Sequence, residues 1–554
     1  MPIQPTPLAS CPQLVIGEKR MFGRVKTLDA ILATAQNKSL HRSLGAFQLT
    51  MLGVGAIIGT GIFVLTAEAA QKAGPGMLLS FIIAGAVCAV AALCYSEMAS
   101  MVPVSGSAYT YSYAVMGELV AWMVGWALVL EYAVAAGAVA VGWSGYFVGL
   151  LREYLGIGIL PELVNANAFI AHVKLAFGAT PSAELTTALQ VGGYINLPAC
   201  IITLLVTWLL VIGTRESAFV NAVLVVVKVT ALSLFCILAL PVMNAENFQP
   251  FAPLGFAGIS AAAASIFFAY VGFDAVSTAA EETKNPQRNM PIGLIGSLAI
   301  CTVFYLLVAS GVIGSVGAQP LFDAAGNGIS PGNATAMAAA CANVADQAVV
   351  CSKEALAWTL REMGWQQIGN LVGLAAGLAL PSVVLMMMFG QTRIFFVMSR
   401  DGLLPERFSR IHPKYHTPHV VTIVTGIFVA IFAALFPVGA LADISNSGTL
   451  FAFAMVAIAV MILRKTDPTR HRPFRTPAVM VVAPLAIIGC FYLFFSLSGY
   501  TLALFAGWAV IGLAVYFLYS RHHSHVGRGL VEVHEGDADI PPQPVPPMPG
   551  ASLD

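Results

Sequence analysis

Apolar runs, each about as long as a bilayer is thick, follow one another from residue 43 to residue 520. A helix that crosses the hydrocarbon core needs about 20 such residues. Stretches free of Asp, Glu, Lys and Arg cover 43–67, 73–96, 132–151, 185–214, 247–273, 289–322, 363–392, 415–442 and 444–463. Residues 476–520 hold two more, divided by a Ser-Gly-Tyr turn at Ser498–Tyr500. A further helix near 218–243 is interrupted only by Lys228, and the third span starts near Glu118 and contains Glu131. The pattern predicts an all-α integral membrane protein with twelve transmembrane helices in a domain at 45–520. Polar ends flank it at 1–44 and 521–554.

Composition sharpens this picture. Hydrophobic residues make up 58% of the 554 positions and charged residues 10%, where a soluble domain carries roughly 25%. Too few charges remain to cover a water-facing surface, so lipid is the solvent for most of the chain. The formal net charge is zero, which gives nucleic-acid binding no global support. Residues 1–44 contain no short apolar core of a signal peptide.

Lys and Arg placement sets the expected orientation. With the N-terminus inside, inside segments carry twenty-one Lys and Arg and outside segments five, and Lys228 stays in the membrane. Both termini are then cytoplasmic, in the inner (plasma) membrane of a bacterial-type cell. The long outside loops are 152–190 and 317–362. Residues 354–363 have the character of a short amphipathic helix. Cys341 and Cys351 share that outside loop, where a disulfide is chemically permitted. Tyr109, Tyr111 and Tyr113, in the loop after the second span, read as interfacial anchors. The Pro- and Asp-rich tail reads as disordered.

The most informative segment is Gly53-Val-Gly-Ala-Ile-Ile-Gly-Thr-Gly-Ile-Phe63. Four glycines lie mid-span, each costing about 1 kcal/mol of helix propensity. They suit either a backbone that unwinds toward a ligand or close helix packing through Gly55-x-x-x-Gly59. The spacing is wrong for a dinucleotide loop, and no strand precedes it. Five spans later, Gly272 lies beside Tyr270 and the intramembrane acid Asp274. Interruptions at matching places in two halves point to a five-helix inverted repeat. The halves would be about 45–243 and 257–463, with helices eleven and twelve at about 478–520. A half-helix N-terminus suits a carboxylate and unwound carbonyls suit an ammonium. Two such breaks side by side can hold an α-amino acid by its backbone.

The segments 53–63, 267–282 (Phe-Phe-Ala-Tyr-Val-Gly-Phe-Asp-Ala-Val-Ser-Thr-Ala-Ala-Glu-Glu) and 390–405 (Gly-Gln-Thr-Arg-Ile-Phe-Phe-Val-Met-Ser-Arg-Asp-Gly-Leu-Leu-Pro) closely resemble the amino acid–polyamine–organocation superfamily. Within it they look like the cationic amino acid transporter branch and its bacterial permeases. The resemblance covers residues 40–520. It implies a LeuT-type fold with helices 1 and 6 broken and two helices appended. It also implies that Ile57, Gly59, Thr60 and Gly61 hold the substrate from the first break. Phe268, Ala269 and Val271 would offer carbonyls from the second, with Phe268 also gating the outer side.

Lys228 lies about 16 Å of helix rise from the Arg215–Glu216 turn, near mid-bilayer. A snorkelling lysine is the bland alternative. Burial disfavours a charged amine, so Lys228 is a candidate proton carrier. The resemblance implies the same, with the lysine standing where sodium sits in sodium-coupled relatives and bridging spans 1 and 8. Protons are then the coupling ion, and neither sodium, another metal nor a cofactor is expected. Glu131 either joins this network by pairing with Lys228, faces the side-chain pocket, or simply packs. Asp274 is a candidate N-cap. Glu281, Glu282, Lys284 and Arg288 could pair with Arg400, Asp401, Arg407 and Arg410 at an inner gate, or be solvated charges. Span 8 would add Met386–Met388 to the pocket wall.

These features point to a secondary carrier for L-amino acids, a proton symporter working by alternating access. An exchanger of amino acids or polyamines is the alternative. No catalytic residues are expected. An intramembrane enzyme lacks a His inside the spans, and a channel lacks charged rings. The expected partners are a small-molecule substrate and lipid. Neither a small membrane subunit nor a homo-oligomer can be read from the residues, and neutral and cationic substrates both stay open.

Overall fold

The computed structural model describes residues 19–20, 23–24, 44–104, 106–158, 160–176, 189, 193–213, 218–280, 283–323, 326–331, 336–337, 340–341, 348–415 and 417–528. Its helices are α1 (Ala46–Ile57), α2 (Thr60–Phe63), α3 (Leu65–Ala73), α4 (Met77–Met101), α5 (Ser107–Val115), α6 (Glu118–Leu155), α7 (Asn167–Ala176), α8 (Leu197–Ile212) and α9 (Ala218–Ala239). They continue with α10 (Gly255–Ile266), α11 (Ala275–Thr278), α12 (Pro286–Val316), α13 (Ala355–Glu362), α14 (Gln366–Arg400) and α15 (His419–Leu435). The last are α16 (Val438–Thr466), α17 (Val479–Phe495), α18 (Gly499–Val515) and the short α19 (Arg521–His523). Two antiparallel pairs of two-residue strands are the sheet among the described residues. Eight helical stretches are long and apolar enough to cross a membrane, and α1, α8, α15 and α17 are shorter apolar helices. Helix is present in each of the twelve expected segments.

The helix boundaries follow local chemistry. Asn196 caps α8 by accepting the Ala199 N–H at 3.2 Å, and Pro198 sits in the first turn, where a missing N–H costs nothing. Ser498 caps α18 through the Thr501 N–H at 3.2 Å. The turn between α3 and α4 is Gly74-Pro75-Gly76, with Gly74 at φ +59°.

Helix α6 is the centre of the bundle. Its apolar window is 89% buried, against 17% for the stretch that contains α18. Trp122, Tyr132 and Tyr146 on α6 are fully buried. Indole N–H groups reach across to carbonyls of neighbouring helices, Trp143 to Gly377 at 2.7 Å and Trp122 to Gly512 at 2.8 Å. Large apolar side chains such as Trp208, Ile488 and Leu518 are more than half exposed on the outside of the bundle. That is the arrangement expected where lipid replaces water.

Two expectations change. Tyr109, Tyr111 and Tyr113 are buried on α5, not exposed at an interface. The polar residues around them form a helix, and Tyr109 and Tyr113 donate to Asp401 (2.8 Å) and Glu118 (3.2 Å). Residues 521–528 fold back instead of starting a disordered tail. Ser524 donates to Glu118 at 2.5 Å and the His525 N–H donates to the Asp401 carbonyl at 3.1 Å. The third span runs the full length of α6, because its Glu118 and Arg152 sit at helix ends that favour their charges. The amphipathic segment at 354–363 forms α13.

Candidate functional site

The first span stops being helical in its middle. Helix α1 ends at Ile57, Ile58 is extended (ψ 98°) and Gly59 has φ −150° and ψ −146°. The helix restarts with the Phe63 N–H donating to the Gly59 carbonyl at 3.4 Å. The N–H groups of Thr60, Gly61 and Ile62 therefore lie outside the helical ladder. The Thr60 hydroxyl is fully buried and has no hydrogen-bond partner.

The second interruption lies between α10 and α11. Phe267–Tyr270 tighten into a 3₁₀ turn, Val271 is extended and Gly272 has φ +116°. Phe268 is buried, and its carbonyl accepts the Val271 N–H at 3.2 Å. Among the described residues no protein group donates to the Val271 carbonyl.

The two breaks touch. A Cβ on Gly61 would lie 2.3 Å from Ala269 Cα, and one on Gly272 would lie 3.0 Å from the Ala56 carbonyl oxygen. Glycine at 61 lets the backbones meet, and glycine at 272 also supplies the left-handed φ. Gly53 has a different job. Its Cβ would strike Ser297 of α12 and Val276 of α11, so it is a packing glycine. The close packing is at Gly53 and not through Gly55-x-x-x-Gly59, since Gly59 stands at the break and a Cβ there would make only an ordinary contact.

Ending α1 partway along the first span orphans its last carbonyls, and two side chains meet them. Lys228 on α9 is buried and donates to the Gly55 carbonyl at 2.8 Å. The Tyr305 hydroxyl on α12 lies 2.9 Å from the Ile57 carbonyl and 2.8 Å from the Ala269 carbonyl, one from each break. Lys228 thus caps the C-terminal end of a helix, where a cation is favoured. No ion pair joins it to Glu131 among the described residues, so of the alternatives open for Glu131 the pairing is not the one seen; Lys228 meets a carbonyl instead. The span-8 contact to the break is Val383 of α14, 3.4 Å from a Cβ on Gly59.

Glu131 is fully buried on α6 and both carboxyl oxygens lack a hydrogen-bond partner. Its backbone carbonyl accepts from Ser445 of α16 at 3.2 Å, and Gly448 of α16 packs on its Cβ. Its neighbour Tyr132 donates to Asp274 at 2.6 Å. Asp274 stands at the N-cap position of α11, yet its side chain turns back to the Gly272 N–H (3.2 Å) and makes no cap bond. The acid therefore holds the turn of the second break against α6. Glu281 and Glu282 of the expected inner cluster lie outside the described residues; Arg393 donates to the Thr278 carbonyl at 2.9 Å. Cys341 and Cys351 are joined, their Cα atoms 5.7 Å apart.

Carbonyl oxygens, unpaired N–H groups and a buried hydroxyl thus converge where two interrupted helices meet. Among the described residues no cluster of His, Cys, Asp or Glu could hold a metal. The profile of the amino acid permease family matches residues 44–519. The chain belongs to that family. The permease is a membrane transporter of the amino acid–polyamine–organocation superfamily, not an enzyme.

The permease is 42% identical to the branched-chain amino acid permease BcaP of Bacillus subtilis (strain 168), over 92% of its own chain and 99% of that one. It is 40% identical to the methylthioribose transporter of the same organism, over 90% and 98% of the two chains. Cationic amino acid transporter 9, chloroplastic, of Arabidopsis thaliana is 35% identical over 89% of the permease and 80% of its own length. Sequence reasoning missed Tyr305 and Val383. Tyr305 sits in Cys-Thr-Val-Phe-Tyr-Leu-Leu with no local signal of its role.

Proposed function

We propose that the permease imports a medium-sized apolar L-amino acid together with a proton, by alternating access in a LeuT-type 5+5 repeat of twelve spans. The observation that carries this reading is the meeting of the two breaks at Gly61 and Ala269, with N–H groups outside the helical ladder at the first break and the Val271 carbonyl open at the second. The substrate carboxylate takes the N–H groups of Gly59, Thr60 and Gly61 and the Thr60 hydroxyl. Its three ammonium N–H groups are shared among the carbonyls of Ile57, Phe268, Ala269 and Val271; the first three already accept one protein donor each and have a second lone pair to offer. Phe268 closes the site from outside. The side chain lies toward Val383, a wall that suits a branched aliphatic group, and the 42% identity to a branched-chain amino acid permease supports that choice.

Lys228 carries the coupling proton and Glu131 assists it. The ammonium of Lys228 is the donor that satisfies the Gly55 carbonyl four residues before Gly59. Loss of its proton takes one donor from the broken end of α1, so protonation and the shape of the first break are linked. Sodium has no part in this scheme. The surplus of Lys and Arg on one side supports cytoplasmic termini and an inner-membrane location. Uptake of labelled L-isoleucine into proteoliposomes tests the scheme. Lys228→Ala should lose the response to an imposed pH gradient, and replacing sodium should leave wild-type uptake unchanged. A full pH-gradient response in Lys228→Ala would reject the coupling role.

A further inference from the structure

The last span, α18, is fastened to α6, the helix at the centre of the bundle. The Trp126 indole donates to the Trp508 carbonyl at 2.8 Å, and the Trp508 indole returns a bond to the Trp126 carbonyl at 2.9 Å. Their rings stack with centroids 4.5 Å apart. One turn on, Trp122 donates to the Gly512 carbonyl, and a Cβ on Gly512 would strike Trp126. Past this anchor the helix widens into a π turn over Tyr516–Ser520, which re-aims the side chains that follow.

Those side chains turn inward. Ser520 donates to the Leu403 carbonyl at 2.7 Å, and the His525 N–H donates to the Asp401 carbonyl at 3.1 Å. Tyr516 and Ser524 donate to the two oxygens of Glu118 at 3.1 and 2.5 Å. Ser520 and Ser524 are fully buried, although His522 and His523 between them are exposed. Gly402, at φ +77°, makes room for this approach. A Cβ there would lie 2.6 Å from the His523 carbonyl oxygen and 2.6 Å from His525 Cδ2.

The same two acids hold α5. Tyr113 donates to Glu118 at 3.2 Å and Tyr109 to Asp401 at 2.8 Å. Three hydroxyls thus converge on the buried Glu118 carboxylate, and two of them come from the C-terminal segment. Helix α5 has nine residues, too few to be stable without tertiary contacts, so its anchors decide where it sits. It packs on α11, the half-helix that follows the second break. Tyr111 of α5 meets Tyr95 of α4 edge-on at 5.6 Å, and Tyr95 meets Phe273 of the break at 6.0 Å. Beneath α5, Ser277 of α11 is fully buried.

We propose that residues 516–528 are a latch that holds α5 over α11 and so sets how readily the second break is uncovered on that side. Helix α18 is the fixed arm of the latch, and the segment past the π turn is its moving part. Its release takes two hydroxyls from Glu118 and a backbone donor from Asp401. The anchors of α5 then loosen, and α11 loses its cover. That this uncovering regulates substrate passage rests on the transport reading above; the contacts of the latch do not.

The test uses the purified full chain in detergent and a reporter that needs no substrate. Ser277→Cys, labelled by a maleimide and located by mass spectrometry, should react slowly. Adding Ser520→Ala and Ser524→Ala together removes the bonds to Leu403 and Glu118 and should speed labelling roughly tenfold. Gly402→Ala reaches the latch from its other side and should act in the same direction. Without the reporter, hydrogen exchange of the Ser107–Val115 amides should rise in the same variants while that of α6 stays at its wild-type level. This second readout answers the question even if the reporter chain misfolds. Unchanged labelling and unchanged exchange in the double serine variant would overturn the latch. So would a rise in exchange spread equally over α5 and α6, which is general destabilisation. Faster labelling and exchange in a protein that takes up no L-isoleucine would uphold the latch and sink the substrate assignment instead.

Discussion

Gly61→Ala is the substitution whose effect the structure fixes most narrowly. The new methyl would lie 2.3 Å from Ala269 Cα, 2.5 Å from its Cβ and 3.0 Å from its N. Carbon atoms settle at about 3.5–4.0 Å, so the two breaks must part by more than 1 Å, and the obstacle is backbone that cannot change rotamer. Overpacking of this kind costs about 1–3 kcal/mol; with backbone on the far side the upper figure applies. If the cost falls on the substrate-holding geometry, about 3 kcal/mol is a loss of roughly 100-fold in affinity. Gly373→Ala on α14, away from both breaks, is the internal control, since its methyl would come no closer than 3.6 Å to a neighbour, an ordinary contact. Both variants go into L-isoleucine binding and uptake assays, with thermal unfolding in detergent alongside. Gly61→Ala should bind at least tens of times more weakly, and Gly373→Ala far less so. Equal behaviour of the two variants, or wild-type binding by Gly61→Ala, would refute the contact between the breaks.

Tyr305→Phe removes the hydroxyl shared by the Ile57 and Ala269 carbonyls and should lower stability by about 1–2 kcal/mol; an unchanged melting temperature would count against that bond. Glu97 accepts both guanidinium branches of Arg464 at 2.8 Å and lies 3.3 Å from Arg472. Glu97→Gln should therefore destabilise the fold by about 3 kcal/mol, read as a large drop in melting temperature. The double change Cys341→Ser, Cys351→Ser opens a link between residues ten apart. It should weaken the loop that holds them by about 2–3 kcal/mol and speed its proteolysis, with uptake retained.

What the sequence disclosed was what a single segment can carry. The glycines at 53–61 and Gly272 beside Asp274 marked places where a lone helix cannot pay its own backbone cost, and both proved to be breaks. Lys228 was visible because its depth in an apolar run is countable along one helix. The partners were not visible. Which carbonyl Lys228 meets, that Tyr305 spans both breaks, and that Val383 faces Gly59 all depend on how separate helices are docked. The tyrosines at 109, 111 and 113 were misplaced for the same reason. An aromatic residue in a short polar segment looks interfacial until its acceptors, Asp401 and Glu118, arrive from elsewhere in the chain.

The account turns on a grip at both ends of a zwitterion. Calorimetric titration of the purified permease with L-isoleucine measures it most directly, compared with the same side chain carrying only the amine and only the acid. Two charge-assisted anchors of about 1.5–3 kcal/mol each predict that each analogue binds at least tens of times more weakly. If either analogue binds as tightly as the amino acid, the two breaks do not hold its two charged ends.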